Sequence, residues 1–168
     1  MVSLKDGFGD YLMSENKISA FLEIANVLAK LSPCPRAKVG AVVFRPDRWS
    51  PLTSAYNGTP RKSDKKLCGG DCCERDALGI VSGRDTQIGC HHAEFNAIAN
   101  AAYEGVKLEG AWMLCTAPPC VMCAKLIHHS GIQKVIYTNT MPDRWKYLEG
   151  IAYLQANKVL LEEIKENI

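Results

Sequence analysis

Two short stretches of this chain hold residues suited to binding a metal and moving protons: His92-Ala93-Glu94 and Pro119-Cys120-Val121-Met122-Cys123. Cys120 and Cys123 are three residues apart, so on a helix they share a face and can grip one ion. Two thiolates and an imidazole suit zinc, and three protein ligands leave its fourth position open to water. A cysteine at a helix N-terminus favours thiolate over thiol, because the helix dipole stabilises negative charge there. His92, Cys120 and Cys123 are therefore the candidate ligands of a catalytic Zn2+. Glu94, two residues past His92, would not share its face in mid-helix, but it can flank the same ion from a first turn. A carboxyl in that place is suited to carrying protons.

Other readings of these residues stay open at this level. A C-x-x-C alone serves equally as a redox pair or as half of a structural zinc site. A structural zinc needs a fourth protein ligand, and Glu94 is the residue that could supply it.

The elements that must position this chemistry follow from periodicity. Ile18, Phe21, Leu22, Ala25 and Leu28 recur at helical spacing, which predicts an amphipathic helix opening near Ser14 or Asn16 and ending near Ser32-Pro33. Val39 to Phe44 and Leu52 to Tyr56 read as a strand pair joined by the turn at Pro46-Asp47. From Asn57 to Cys90 the pattern is lost, and this insert cannot hold its shape by burial alone. His92 to Tyr103 is Ala-rich and helical, closed by Gly105. Ala111 to Thr116 reads as a buried strand, Cys120 to Ser130 as a helix closed by Gly131, and Lys134 to Thr138 as a strand. A last helix is predicted over Arg144 to Ala156, then a weak strand or tail at Val159 to Ile164. Alternation of this kind predicts an α/β sandwich with a mixed sheet.

Length and composition bound the answer. A chain of 168 residues, 47% hydrophobic, is long enough for one domain with a real core and too short for two ordinary ones. The expectation is a single domain over residues 1–168, with 57–91 as a Cys-rich insert. Twenty basic against eighteen acidic residues give a net charge of +2, so no overall field calls for a polynucleotide or membrane partner. The first nineteen residues carry no continuous apolar run, no other stretch is long enough to span a membrane, and eight cysteines in a reducing compartment are better explained by metal than by disulfides. Cytoplasmic placement is expected, in the host cytoplasm for a chain of phage origin.

H-x-E followed by P-C-x-x-C resembles the signature of the zinc deaminases that act on nucleobases. The fuller pattern is similar to the deoxycytidylate deaminases, within the cytidine and deoxycytidylate deaminase family. It runs through Cys34-Pro35-Arg36-Ala37-Lys38-Val39-Gly40-Ala41, Tyr56-Asn57-Gly58-Thr59-Pro60, His92-Ala93-Glu94-Phe95-Asn96-Ala97-Ile98, Pro119-Cys120-Val121-Met122-Cys123-Ala124-Lys125 and Ser130-Gly131-Ile132. Ala55 departs from the glycine usual there. The resemblance implies a three-layer α/β/α sandwich on a mixed five-stranded sheet, with zinc between two helix N-termini. It implies hydrolysis of dCMP to dUMP and ammonia, which supplies dUMP for thymidylate synthesis, with Glu94 moving the protons. It also implies that Asn57 bonds the sugar or base and that the backbone at Ala93 and Pro118 reads the pyrimidine.

Arg36 is placed to meet the substrate phosphate, with a solvated loop as the plainer reading. The basic run Arg61 to Lys66, His128 and His129 are read as surface or packing positions, and Cys115 as core. Some relatives hold a second, structural zinc near the insert, and Cys34, Cys68, Cys73 and Cys90 are the expected ligands here, with Cys72 or His91 as substitutes. Such an ion would supply folding free energy that the insert lacks. A homo-oligomer, hexameric in relatives, and regulation by dCTP and dTTP with Mg2+ complete what the resemblance implies. The competing readings are a deaminase of tRNA or another polynucleotide, disfavoured by the modest charge, and an inactive zinc-bound nucleotide sensor, disfavoured by an intact Glu94.

Overall fold

The stripe at positions 18, 21 and 25 winds into helix α1 (Glu15–Ala29), whose Ile18, Phe21 and Ala25 are buried. Two turn residues follow before Ser32, where Pro33 and Pro35 bar further helix. The computed structural model describes residues 15–63, 73–80, 88–139 and 147–164. A start of α1 at Ser14 and the Arg144 end of the last helix lie outside the described residues.

The predicted hairpin is present as β1 (Gly40–Arg45) and β2 (Ser50–Tyr56), antiparallel with an irregularity between Val43 and Phe44. Helix α3 (Ala93–Glu104) ends at Gly105, whose φ of 69° is one that a side chain disfavours. Strand β3 (Trp112–Cys115), helix α4 (Val121–His129), strand β4 (Lys134–Thr138), helix α5 (Leu148–Ala156) and strand β5 (Leu160–Ile164) follow. The strands form one sheet in the order β2-β1-β3-β4-β5, antiparallel on the first side and parallel from β3 to β5. Parallel neighbours need crossovers, and α4 and α5 provide them. What read as a weak strand or tail at the C-terminal side is thus a full sheet partner of β4.

Successive residues of a strand face opposite sides, and both sides of β1 are covered. Val42 and Phe44 pack with Ile18, Phe21 and Ala25 of α1, while Ala41 and Val43 pack with Ala93, Ala97 and Ala101 of α3 and Ala124 and Ile127 of α4. Ala55 joins the second cluster. The result is the expected three-layer α/β/α arrangement on a mixed five-stranded sheet.

In its described parts, residues 57–63, 73–80 and 88–91, the insert holds structure that its composition does not suggest. It contains a one-turn helix, α2 (Glu74–Ala77), that periodicity does not reveal. Arg36 Nε lies 3.1 Å from Asp76 Oδ1, and Arg36 also donates to the Ile80 carbonyl at 3.1 Å. Gly58 and His91 exchange backbone hydrogen bonds at 3.0 and 2.9 Å, which ties the far end of the insert to the end of β2.

Candidate metal centre and active site

The site is built where two helices begin. His92 is the N-cap residue of α3 and Cys120 that of α4, each with extended backbone just before the first helical turn. Their carbonyls accept the first intrahelical bonds, from Asn96 N at 3.0 Å and Ala124 N at 2.8 Å. Cys123 lies three residues into α4, so its sulfur returns to the face of Cys120. His92 Nδ1 stands 3.4 Å from Cys120 Sγ and 3.6 Å from Cys123 Sγ.

These distances test the fit of a metal. Zinc–sulfur bonds of about 2.3 Å and zinc–nitrogen bonds of about 2.0–2.1 Å at tetrahedral angles require sulfur–nitrogen separations of about 3.6 Å. The three donors already stand at that spacing. Among the described residues they are the one group of three His, Cys, Asp or Glu donors lying within 4.8 Å of one another. Glu94 contributes no oxygen to it.

Electrostatics agree with this division. A thiol hydrogen bond from Cys123 and the neighbouring His92 bring Cys120 down to about 4 against the opposing effect of burial, while Cys123, holding the shared proton and buried, is raised. His92 is raised in spite of its burial, by the hydrogen bond to Cys120 and the charge of Glu94. A divalent ion held by His92, Cys120 and Cys123 would take the place of protons on these donors. Burial lifts Glu94 to about 7, with the charge on His92 opposing.

α5 supports the ligands from behind. Gly150 lies so close to the loop before α4 that a Cβ there would overlap the Pro119 carbonyl oxygen and the Cys120 carbonyl carbon. Tyr147, just before α5, packs on Cys120 and Cys123 together with Phe95.

A partly open cavity, enclosing about 570 Å3 of non-atom space including solvent at its mouth, meets this centre at His92 and Glu94. Asn57, Pro118 and Arg36 line it, as do Cys34, Cys73 and Cys90. Ala93 is buried at the start of α3. The Asn57 side chain accepts from Val39 N at 2.8 Å and donates to the Ala37 carbonyl at 2.9 Å, so it shapes the loop before β1 and keeps one amide N–H for a ligand. Arg36 is on this wall as expected of a cavity residue, and its pairing with Asp76 also clamps α2 against the cavity. Cys34 and Cys90 pack together and Cys73 is buried, but these three sulfurs do not converge as His92, Cys120 and Cys123 do. Cys68 and Cys72 lie outside the described residues. The His91 ring lies tilted by 40° against Phe95 with ring centres 4.2 Å apart, its Nδ1 3.2 Å from Asn96 Oδ1. Cys115 is fully buried in the core, and His128 and His129 lie on the exposed part of α4, as expected.

Among the cavity residues that sequence reasoning missed are Arg75 and Tyr147. Arg75 sits in a charged tetrapeptide, Glu74-Arg75-Asp76-Ala77, and nothing in its type or spacing marks it as buried.

Residues 15–139 match the model of the cytidine and deoxycytidylate deaminase zinc-binding region. The chain belongs to this family. It is 37% identical over 121 residues to the deoxycytidylate deaminase of Schizosaccharomyces pombe, a match covering 71% of this chain and 36% of that protein. With the deoxycytidylate deaminase of Mycobacterium phage D29 it shares 37% identity over 123 residues, 70% of this chain and 90% of the phage protein. The chain thus spans little more than a third of the yeast relative and most of the phage one. A crystal structure of dCMP deaminase from cyanophage S-TIM5, in complex with dCMP and dUMP, superposes with a TM-score of 0.71 at 30% identity, over 90% of this chain and 99% of that one. All the catalytic-zinc candidates of this deaminase-family chain fall inside the matched region. No helix among the described residues is long and apolar enough to cross a membrane.

Proposed function

We propose that this chain hydrolyses dCMP to dUMP and ammonia, which feeds thymidylate synthesis. The observation that carries this reading is the convergence of His92, Cys120 and Cys123 at zinc spacing beside a buried Glu94, on the wall of a cavity. The nucleotide is supported by the relatives named deoxycytidylate deaminase and by the phage structure with dCMP and dUMP.

Zinc held by His92, Cys120 and Cys123 would supply a water acidic enough to ionise near neutral pH. Glu94 accepts a proton from the attacking water and delivers it to N3 of the cytosine, then takes the remaining proton from the new C4 hydroxyl and passes it to the departing amine. A group lifted to about 7 is matched to taking and giving protons near neutrality. Asn57 contacts the sugar or base, and the buried backbone at Ala93 and Pro118 holds the pyrimidine ring in the cavity. Water adds at C4, the C4–N bond breaks, and uracil nucleotide and ammonia leave.

Cys34, Cys73 and Cys90, with Cys68, hold a second zinc in this reading. Its support is the burial of three of these thiols around the insert. Resemblance supports a cytoplasmic homo-oligomer, hexameric, with dCTP and dTTP acting with Mg2+ as regulators.

An ammonia-release panel of dCMP, 5-substituted dCMP, CMP, deoxycytidine, dCTP, single-stranded DNA and tRNA tests the substrate. dCMP is expected to be turned over far better than deoxycytidine or either polynucleotide. Preference for tRNA or for deoxycytidine would overturn the reading.

A further inference from the structure

Resting on the dCMP reading, in which Asn57 contacts the sugar or base, we infer that Ser32 is the positioning residue for that contact: its hydroxyl holds the Asn57 backbone so that the Asn57 side chain keeps its place on the cavity wall. β1 and β2 pair with Gly40 opposite Tyr56, so the next pair along is Val39 and Asn57. Asn57 N donates to the Val39 carbonyl at 3.0 Å, as an antiparallel ladder requires. The return bond is different. A continued ladder would send the Val39 N–H to the Asn57 carbonyl, but it goes to Asn57 Oδ1 at 2.8 Å. The Asn57 carbonyl instead accepts from Ser32 Oγ at 2.7 Å.

The local sequence explains how this hydroxyl is placed. Ser32 is 3% exposed, and its N–H donates to the Ala29 carbonyl in the turn that follows α1. Pro33 then bars further helix, and Ser32 Oγ accepts from Cys34 N at 3.2 Å, a local turn that fixes the side chain. One buried hydroxyl thus donates once and accepts once, joining the end of α1 to the cavity residues Cys34 and Asn57. Pro33 backs the same place, since a Cβ on Gly58 would lie 3.4 Å from Pro33 Cδ. Without the Ser32 hydroxyl, the Asn57 carbonyl must compete with Asn57 Oδ1 for the Val39 N–H, because a buried acceptor left unpaired is costly. That competition loosens the Asn57 amide, whose bond to the Ala37 carbonyl at 2.9 Å leaves its second N–H for the ligand.

The test compares the zinc-loaded wild-type chain with Ser32→Ala and Ser32→Thr, by steady-state ammonia release from dCMP and by calorimetric binding of dUMP. Ser32→Ala is expected to raise KM for dCMP about 3- to 10-fold, the range of one lost neutral hydrogen bond, with kcat at the wild-type value and dUMP affinity down by a similar factor. Ser32→Thr keeps the hydroxyl and should keep both near wild type. In an Asn57→Asp background, which retains the acceptor for Val39 N but has no amide N–H for the ligand, Ser32→Ala should add no further rise in KM. A role confined to stability would lower the melting temperature and kcat per chain but leave KM and dUMP affinity unchanged, which overturns the inference. A full further rise in the Asn57→Asp background, or a KM in Ser32→Thr as high as in Ser32→Ala, overturns it as well. Should Ser32→Ala not fold, an unchanged KM in Ser32→Cys, whose thiol is only a weak donor, does the same. A wild-type chain that does not turn over dCMP defeats the functional reading and this inference together. A wild-type KM that survives intact in Ser32→Ala defeats the inference alone.

Discussion

Two sets of cysteines lie in different settings, one beside His92 at the start of α4 and one on the wall of the cavity, and the fold holds them differently. Cys120 and Cys123 stand on the first turn of α4, braced by Gly150 of α5, and meet His92 at separations that tetrahedral zinc requires. Cys34 and Cys90 lie in loops and Cys73 caps the one-turn helix α2, and their sulfurs are buried without converging. Helix N-termini fix side chains to within the tolerance of metal coordination, whereas loop cysteines depend on the ion to draw them together. Preorganisation, more than cysteine content, sets His92, Cys120 and Cys123 apart from the loop cysteines.

Breaking the preorganised set should give the largest effect. Cys120→Ser or His92→Ala is expected to lose the catalytic zinc and bring ammonia release down to background, as elemental analysis and a dCMP assay on the same sample would read. Full activity at normal zinc content in either variant would dissolve the distinction. A smaller effect is expected from Gly150→Ala, which leaves every ligand in place but forces α5 away from the Pro119-Cys120 backbone. Overpacking of this kind costs about 1–3 kcal/mol, and thermal denaturation together with zinc retention under a chelator should both decline. If both stay at wild-type level, the brace from α5 plays no part.

The smallest effect belongs to the loop set. Wild-type protein should carry close to two zinc ions per chain, and Cys73→Ser or Cys90→Ser should remove one of them while lowering stability by about 1–3 kcal/mol. Ammonia release should persist in those variants at temperatures where they remain folded. One ion per chain in the wild type, with both variants as stable as the parent, would remove the second zinc from the account.

How much of this was legible in the sequence depends on what each residue relies on. The two helix starts that bring His92, Cys120 and Cys123 together were readable, because each of the two short stretches places its residues by local helical geometry. β5 read weakly, since Leu160–Ile164 is half-exposed on an edge and gains its identity only by pairing with β4. α2 was invisible, as four charged or small residues carry no periodicity and are held by Arg36 from a distant loop. For the same reason the pairing of Arg36 with Asp76 and the burial of Arg75 were not legible: both are decided by tertiary packing alone.

The central claim is that three residues hold the metal and a fourth, Glu94, carries protons without binding it. Zinc content and ammonia release from dCMP, measured on one preparation of Glu94→Ala, test it most directly. General acid–base groups contribute about two to four orders of magnitude in rate, and this carboxyl serves several transfers, so the loss should reach or exceed the top of that range. The zinc content should equal that of the wild type. If Glu94→Ala instead sheds its metal as readily as Cys120→Ser, Glu94 is a fourth ligand, the site is closed to water, and the catalytic account is contradicted.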